Sequence, residues 1–350
     1  MERIAYIDYL KAFGIIGVII IHLTSRYLTN SPVGSSLWLQ ASVLESLVRF
    51  SIIVFVMASG VLLLKKRQLI EDLPRRLKRV LIPYFLWFII YFFIKMFKDY
   101  GISYMMNISN ILNFLGAALL DPTILTVQFW FIYMIVGVYL ISPVISTWVT
   151  AATKREISYF LVIWLFLLTL RMTNINFLLV EYLRFFTGFI GYFILGYYLD
   201  ITRNKYLMSP KFGLSIFLIG AVMTMVGFIT TSYIDGTNNY LFIKLGDLTL
   251  NAALEATGLF IILKNIDYEK LFKKYEPTIT KHITTLSIYS YGIYLSNILL
   301  INVFYKHGYN INISPFIMVP IFTIITIIVL LLILKVFERI PILRKMTGVR

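Results

Sequence analysis

The sequence predicts an all-α polytopic membrane protein of about ten transmembrane helices, and three features carry that expectation. The 350 residues are 59% hydrophobic and 14% charged, with a mean hydropathy of +0.83, far too apolar for an ordinary soluble domain. The apolar runs are long and continuous, whereas membrane-barrel strands would alternate in polarity over about ten residues. Lys and Arg collect in every second connection, the pattern that retention of positive charge on the cytoplasmic side produces.

Taken in order, the expected spans are 5–27, 43–64, 80–97, 127–149, 157–172, 183–200, 213–233, 248–264, 284–305 and 315–336. Each is long enough to cross the hydrocarbon core or nearly so. The fifth and sixth are short. The connections holding Lys65 to Arg79, Lys154 and Arg155, Arg203 to Lys211, Lys264 to Lys281, and Lys335 to Arg350 are rich in basic residues. The alternate connections hold only Arg26, Lys95, Lys98, Arg171, Lys244 and Lys306. Both termini are therefore expected in the cytoplasm. The net charge of +15 is then a consequence of topology and not of nucleic-acid binding. The first apolar run is long enough to span and ends in no small-residue cleavage site, so it is expected to remain as a helix and not as a cleaved leader. A single membrane domain over 1–350 is expected, with no soluble domain. The connection 98–126 contains an apolar piece, Ile108 to Leu120, that fits a segment lying along or dipping into the membrane.

Cysteine is absent, which excludes disulfides, thiolate nucleophiles and thiolate metal sites. No zinc pattern, phosphate loop or dinucleotide fingerprint occurs, and no metal site or bound cofactor is expected.

Chemistry is therefore sought among the few ionisable residues inside apolar runs, because burying one in a bilayer is costly. His22 is the only one of three histidines in such a run. Lys11 precedes it by eleven residues, which puts the two on nearly one helical face, roughly 16 Å apart along the axis. Asp8, three residues before Lys11, can pair with it. The plainer readings are a snorkelling anchor for Lys11 and a hydrogen-bonded interfacial side chain for His22. Glu45 and Arg49, four residues apart, can neutralise one another as a structural pair. In the second span Ala58, Ser59 and Gly60 allow either another helix or an elongated ligand to approach the backbone closely. Seven Lys or Arg lie between Lys65 and Arg79, enough to serve anionic lipid headgroups. Among them Arg75 adds local charge, and Arg76 and Arg79, three apart, can present two guanidinium forks to a phosphate. Asn251 and Glu255 are polar at consecutive turns of the eighth span, and Glu255 has no partner nearby in the sequence.

In this order these features resemble the acyltransferase-3 family of integral membrane acyltransferases. The family's acidic residue, Arg, then ten residues and His on the first helix is matched by Asp8, Lys11 and His22, with lysine in place of the commoner arginine. Its Phe-Phe-x-x-Ser-Gly element is similar to Phe55 through Gly60, and its Arg-x-x-Arg element to Arg76 through Arg79, followed by Pro83-Tyr84. Further matches are Trp130 to Tyr133 with Ser142-Pro143, Gly191 to Tyr198, and Ser290 to Leu295, which includes Tyr294. Many relatives place a histidine where this chain has Asn297.

The resemblance implies transfer of a short acyl group, most often acetyl, from acyl-coenzyme A to a hydroxyl of a cell-envelope glycan or lipid-linked sugar, by a multi-pass protein of a bacterial plasma membrane. His22 would act as base or acyl carrier, with Lys11 and Asp8 beside the path. Arg75, Arg76, Arg79, Ser59 and Gly60 would meet the donor. Trp130, Asn251, Glu255, Tyr294 and Asn297 would be acceptor-side or secondary residues. Some relatives carry a fused extracytoplasmic domain; none is read in this sequence, so a separate transferase could finish the reaction. The rival class is an exporter or flippase for a glycan, with Lys11, His22 and Glu255 lining a polar path. A membrane sensor or anchoring subunit is the third.

Overall fold

A computed structural model describes residues 4–172, 188–236 and 247–349. Among these the helices, in chain order, are α1 (Ala5–Asn30), α2 (Ser36–Ser46), α3 (Ile53–Leu63), α4 (Leu73–Met105), α5 (Ile108–Leu120), α6 (Trp130–Ala151) and α7 (Lys154–Arg171). They continue as α8 (Ile190–Ile201), α9 (Pro210–Asp235), α10 (Leu250–Asn265), α11 (Tyr268–Phe272), α12 (Glu276–His307), α13 (Pro315–Glu338) and α14 (Pro341–Arg344). No strand occurs among the described residues, and the all-α expectation holds. Among the described residues each expected span overlaps helix, the second with a break. Six helical stretches among the described residues are long and apolar enough by length and composition to cross a membrane. The first part of the sixth expected span, with Arg184, and the connection holding Lys244 lie outside the described residues.

Local sequence explains most boundaries. Pro210 follows Ser209, whose hydroxyl accepts from the Phe212 amide at 3.2 Å and caps α9. Thr153 and Glu156 form a reciprocal capping box at the start of α7. Asn107 caps α5 through the Ser109 amide at 2.9 Å. That helix coincides with the apolar piece singled out in the connection 98–126, and it leaves Ile108, Leu112, Leu119 and Leu120 exposed, as suits a segment lying along a membrane.

The expected second span, 43–64, is corrected. It is two helices, α2 and α3, separated by irregular backbone at 47–52. No proline interrupts it. The hydroxyls of Ser42 and Ser46 instead bond back to the carbonyls of Trp38 and Ser42 at 2.8 and 2.7 Å, and that of Ser51 to Val48, offering the backbone alternatives to the helical ladder. Irregular backbone at membrane depth survives only inside protein or along a cavity. Consistent with this, residues 48–52 are all buried.

Contacts between α1 and α12 set the register of the bundle. Ser287 donates to Asp8 at 2.6 Å near one end, and Tyr305 and Tyr309 donate to the carbonyls of His22 and Leu23 at 2.5 and 2.9 Å near the other. Low numbers meet low and high meet high, so the two helices run parallel. This is the relation required of the first and ninth spans. The end holding Asp8 is called the basic end below, and the end holding Tyr305 the far end.

Two close helix contacts hold the rest. A Cβ on Gly60 would overlap the carbonyl oxygen of Phe193 in α8, and one on Gly196 the carbonyl of Met57 in α3. Between α9 and α10 the same role falls to Gly213, Gly220 and Gly258, where an added Cβ would lie 2.9, 2.6 and 2.5 Å from backbone oxygens of the facing helix. Small residues let backbones approach in a medium where burial from water supplies little drive. Gly60→Ala is therefore expected to cost about 1–3 kcal/mol, the range for overpacking that must displace backbone. Gly137→Ala, whose Cβ would meet nothing within 4 Å, is expected to gain about 0.5–1 kcal/mol. Chemical unfolding of both variants in one detergent tests the pair; equal midpoints would contradict the packing role.

Candidate active site

Helix α1 is the spine of the site. At about 100° per residue, and taking Lys11 as the origin, His22 lies at about +20°, Asp8 at about +60°, Gly14 at about −60° and Thr24 at about −140°. Asp8 faces α12 through Ser287. Gly14 faces α3, with an added Cβ 2.8 Å from the Phe55 ring and 2.9 Å from Val54. Lys11 and His22 thus point into the sector between α3 and α12. An aromatic arc closes that sector: Phe55 lies 6.4 Å from Phe131 of α6, and Phe131 lies 5.0 Å from Tyr294 of α12, centroid to centroid. Four helices therefore ring the stripe.

His22 is partly buried. Its carbonyl accepts from Tyr305 and from the Ser25 hydroxyl at 2.8 Å, while its imidazole has no hydrogen bond or ion pair among the described residues. The main chain is fixed and the ring nitrogens are available for chemistry. Lys11 is partly buried one sector-width away at the basic end. Asp8, 8% exposed, is held by Ser287.

At the basic end the expected donor residues divide. Arg76 is anchored by Gln68, and by Asp72 at 3.5 Å, yet one of its terminal nitrogens is buried without a partner. Arg79 is exposed on the next turn. Arg75 pairs with Asp72 at 2.9 Å with its side chain 69% exposed, and it lies about 40° around α4 from Arg79. Ser59 is partly buried and donates to the Phe55 carbonyl at 2.9 Å. At Gly60, α8 fills the space beside the Cα, so of the two uses weighed for it, helix contact is the one observed.

Near the middle of the ring, Tyr294 donates to the Gln128 carbonyl at 2.5 Å. Trp130 opens α6 with its ring 5.6 Å from that of Phe189. Asn297 is fully buried and turns its amide back to the carbonyls of Ile293 and Tyr294 at 3.2 and 2.7 Å. Its amide oxygen has no partner. Two residues not singled out in the sequence complete this region. Gln128 donates to the Leu295 carbonyl at 3.0 Å and to the Tyr91 hydroxyl at 3.1 Å, and Tyr91 donates to the same carbonyl at 3.1 Å. Nothing in their local sequence marks them, because the carbonyl they share is more than 160 residues away.

A second polar cluster lies on the opposite side of α1. Thr24 donates to Glu45, whose carboxylate pairs with Arg49 at 3.0 Å, and Arg49 reaches Asp247 at 3.8 Å. The expected Glu45–Arg49 pair is present, and Asp247 is its unforeseen third member. Glu255 accepts from Thr224 at 2.8 Å, and Asn251 donates to the same hydroxyl at 2.7 Å. The carboxyl of Glu255 lies near the backbone of Arg49 and Phe50, at the break before α3, and its second oxygen is buried without a hydrogen-bond partner among the described residues. Its placement follows from Gly220, which lets α9 and α10 meet at Glu255. Glu255 and Asn251 are fully buried and joined to the Thr24 side, about 160° around α1 from His22. These two residues, expected on the acceptor side or in a secondary role, are thus placed beside the break in the second span and away from the Lys11–His22 stripe. Among the described residues no group of three or more acidic, His or Cys side chains could hold a metal.

A helical membrane bundle with an imidazole that has no hydrogen-bond partner among the described residues, inside a four-helix ring, defines a class, a polytopic protein with a candidate group-transfer site. The family model of the acyltransferase domain designated acyltransferase-3 matches residues 4–335. The chain belongs to that family and is, in general terms, a membrane acyltransferase. No curated protein and no solved structure matches it.

Proposed function

We propose that this chain moves a short acyl group, acetyl in the first instance, from acyl-coenzyme A to a hydroxyl of a cell-envelope glycan or lipid-linked sugar in a bacterial plasma membrane. The single observation that carries the reading is the placement of His22: an imidazole without a partner among the described residues, on one stripe with Lys11, inside a ring whose basic end presents Arg76 and Arg79. The donor's phosphates meet those arginines, and the unpartnered nitrogen of Arg76 is a ready donor to a phosphate oxygen. The thioester arm runs along the Lys11–His22 sector. His22 takes the proton of the acceptor hydroxyl, whose oxygen attacks the thioester carbonyl carbon. The carbon–oxygen bond forms, the carbon–sulfur bond breaks, and the proton passes from His22 to the departing sulfur.

Purified protein in nanodiscs, given radiolabelled acetyl-coenzyme A, tests the reading. Wild type is expected to bind the donor, and Arg76→Ala to bind it about tenfold or more weakly, the loss of one or two charge-assisted hydrogen bonds. Failure of the wild type to bind acetyl-coenzyme A would overturn the proposal.

A further inference from the structure

The stripe that carries Lys11 and His22 does not end at His22. Arg26 follows one helical turn toward the far end, about 40° around the axis from His22. Its guanidinium carbon lies 4.4 Å from the centroid of the Tyr305 ring. Tyr305 is itself fixed, because its hydroxyl donates to the His22 carbonyl at 2.5 Å, and Tyr309 packs 5.2 Å from it while donating to Leu23. The platform under Arg26 is therefore rigid and tied to the main chain of the candidate catalytic residue.

The charge on this platform is not compensated. Arg49 has Glu45 and Asp247, and Arg76 has Asp72 and Gln68. Arg26, partly buried, pairs with no carboxylate among the described residues, and its Nε is shielded from solvent without a hydrogen-bond partner. A desolvated donor on a cation is costly unless something fills it. The missing partner is an oxyanion, which the planar guanidinium binds well while its other face stacks on an aromatic ring.

We propose that Arg26 is the anion-binding residue of the acceptor site, holding a phosphate or carboxylate of the acceptor so that a nearby hydroxyl reaches His22. This rests on the acyl-transfer reading above and adds a substrate class to it: the acceptor is an anionic glycan. Side chains four apart on a helix are about 5–6 Å apart at Cβ, so the hydroxyl acylated lies within about one sugar ring of the anionic group. A phospholipid headgroup offers the same phosphate chemistry, and the experiment separates the two sources.

Wild type, Arg26→Gln and Arg26→Lys are placed in phosphatidylcholine nanodiscs, and equilibrium binding of radiolabelled methyl β-glucuronide, methyl glucoside 6-phosphate and neutral methyl β-glucoside is measured. Wild type is expected to prefer the two anionic glycosides by about tenfold or more. Arg26→Gln loses that preference and binds the neutral glycoside as before; Arg26→Lys keeps part of it. Thermal midpoints of the variants check the fold. Absence of a preference in the wild type, or its persistence in Arg26→Gln, overturns the proposal. So does a result in which phosphatidylglycerol in the disc stabilises wild type but not Arg26→Gln while the glycosides bind both alike, which would make Arg26 a lipid anchor. Donor binding is read separately with acetyl-coenzyme A, so failure of the acyl-transfer reading and failure of the Arg26 assignment give different patterns.

Discussion

Replacing His22 with alanine is expected to lower acyl transfer by about 10²–10⁴-fold, the usual contribution of a positioned general base. The protein should remain folded, because the imidazole makes no hydrogen bond that the substitution would break. The contacts that fix this part of α1 use the main-chain carbonyls of His22 and Leu23, which alanine preserves. Binding of acetyl-coenzyme A at Arg76 should persist, since the two residues lie at opposite ends of the ring. The measurement is label transfer to membrane glycan beside donor binding and a thermal midpoint, with His22→Gln as a second variant that keeps a polar side chain without its basicity. Transfer at the wild-type rate by either variant would remove His22 from the mechanism.

Replacing Arg49 with leucine is expected to destabilise the fold by about 3–5 kcal/mol, the cost of removing one partner from a buried ionic group. Glu45, Asp247 and Glu255, all at most 8% exposed, would then share an apolar interior without the guanidinium that pairs with the first two. Against a total stability of about 5–15 kcal/mol that is a large fraction, so low yield and a lowered unfolding midpoint are the expected signs. Combining Arg49→Leu with Glu45→Gln and Asp247→Asn should recover much of the loss by removing the stranded charges. A single variant within about 1 kcal/mol of wild type would show that the cluster is not what holds the break together. The two predictions separate cleanly: His22 affects rate without stability, and Arg49 affects stability first.

The spans were legible because a bilayer demands long apolar runs, and the parallel alignment of α1 with α12 agrees with the alternation of loop charge. The Lys11–His22 stripe and the Glu45–Arg49 pair were legible because helical periodicity relates residues within one element. What periodicity does not contain is the neighbour on another helix. The break at 47–52 carries no proline; serine hydroxyls bond back along it, and Glu255, about 200 residues away, is beside it. Asp247 sits in a connection and reads as polar loop until Arg49 is beside it. Gly60 fits a ligand path as well as a helix contact until Phe193 is found against it. Gln128 and Tyr91 are ordinary residues whose role lies in a single shared carbonyl.

The hydrogen bonds from Tyr305 and Tyr309 to the backbone of α1, with Ser287 on Asp8 below, pin that helix to α12 at both ends. Lys11 and His22 stand on that one continuous helix, so the roughly 16 Å between them is set by the helical rise and no movement of neighbouring helices shortens it. The reach must come from the donor, so the scaffold acts as a gauge of carrier length. A thioester with the same acyl group on a truncated arm would be as reactive in water, yet would stop short of the imidazole when its charged end is held among the arginines.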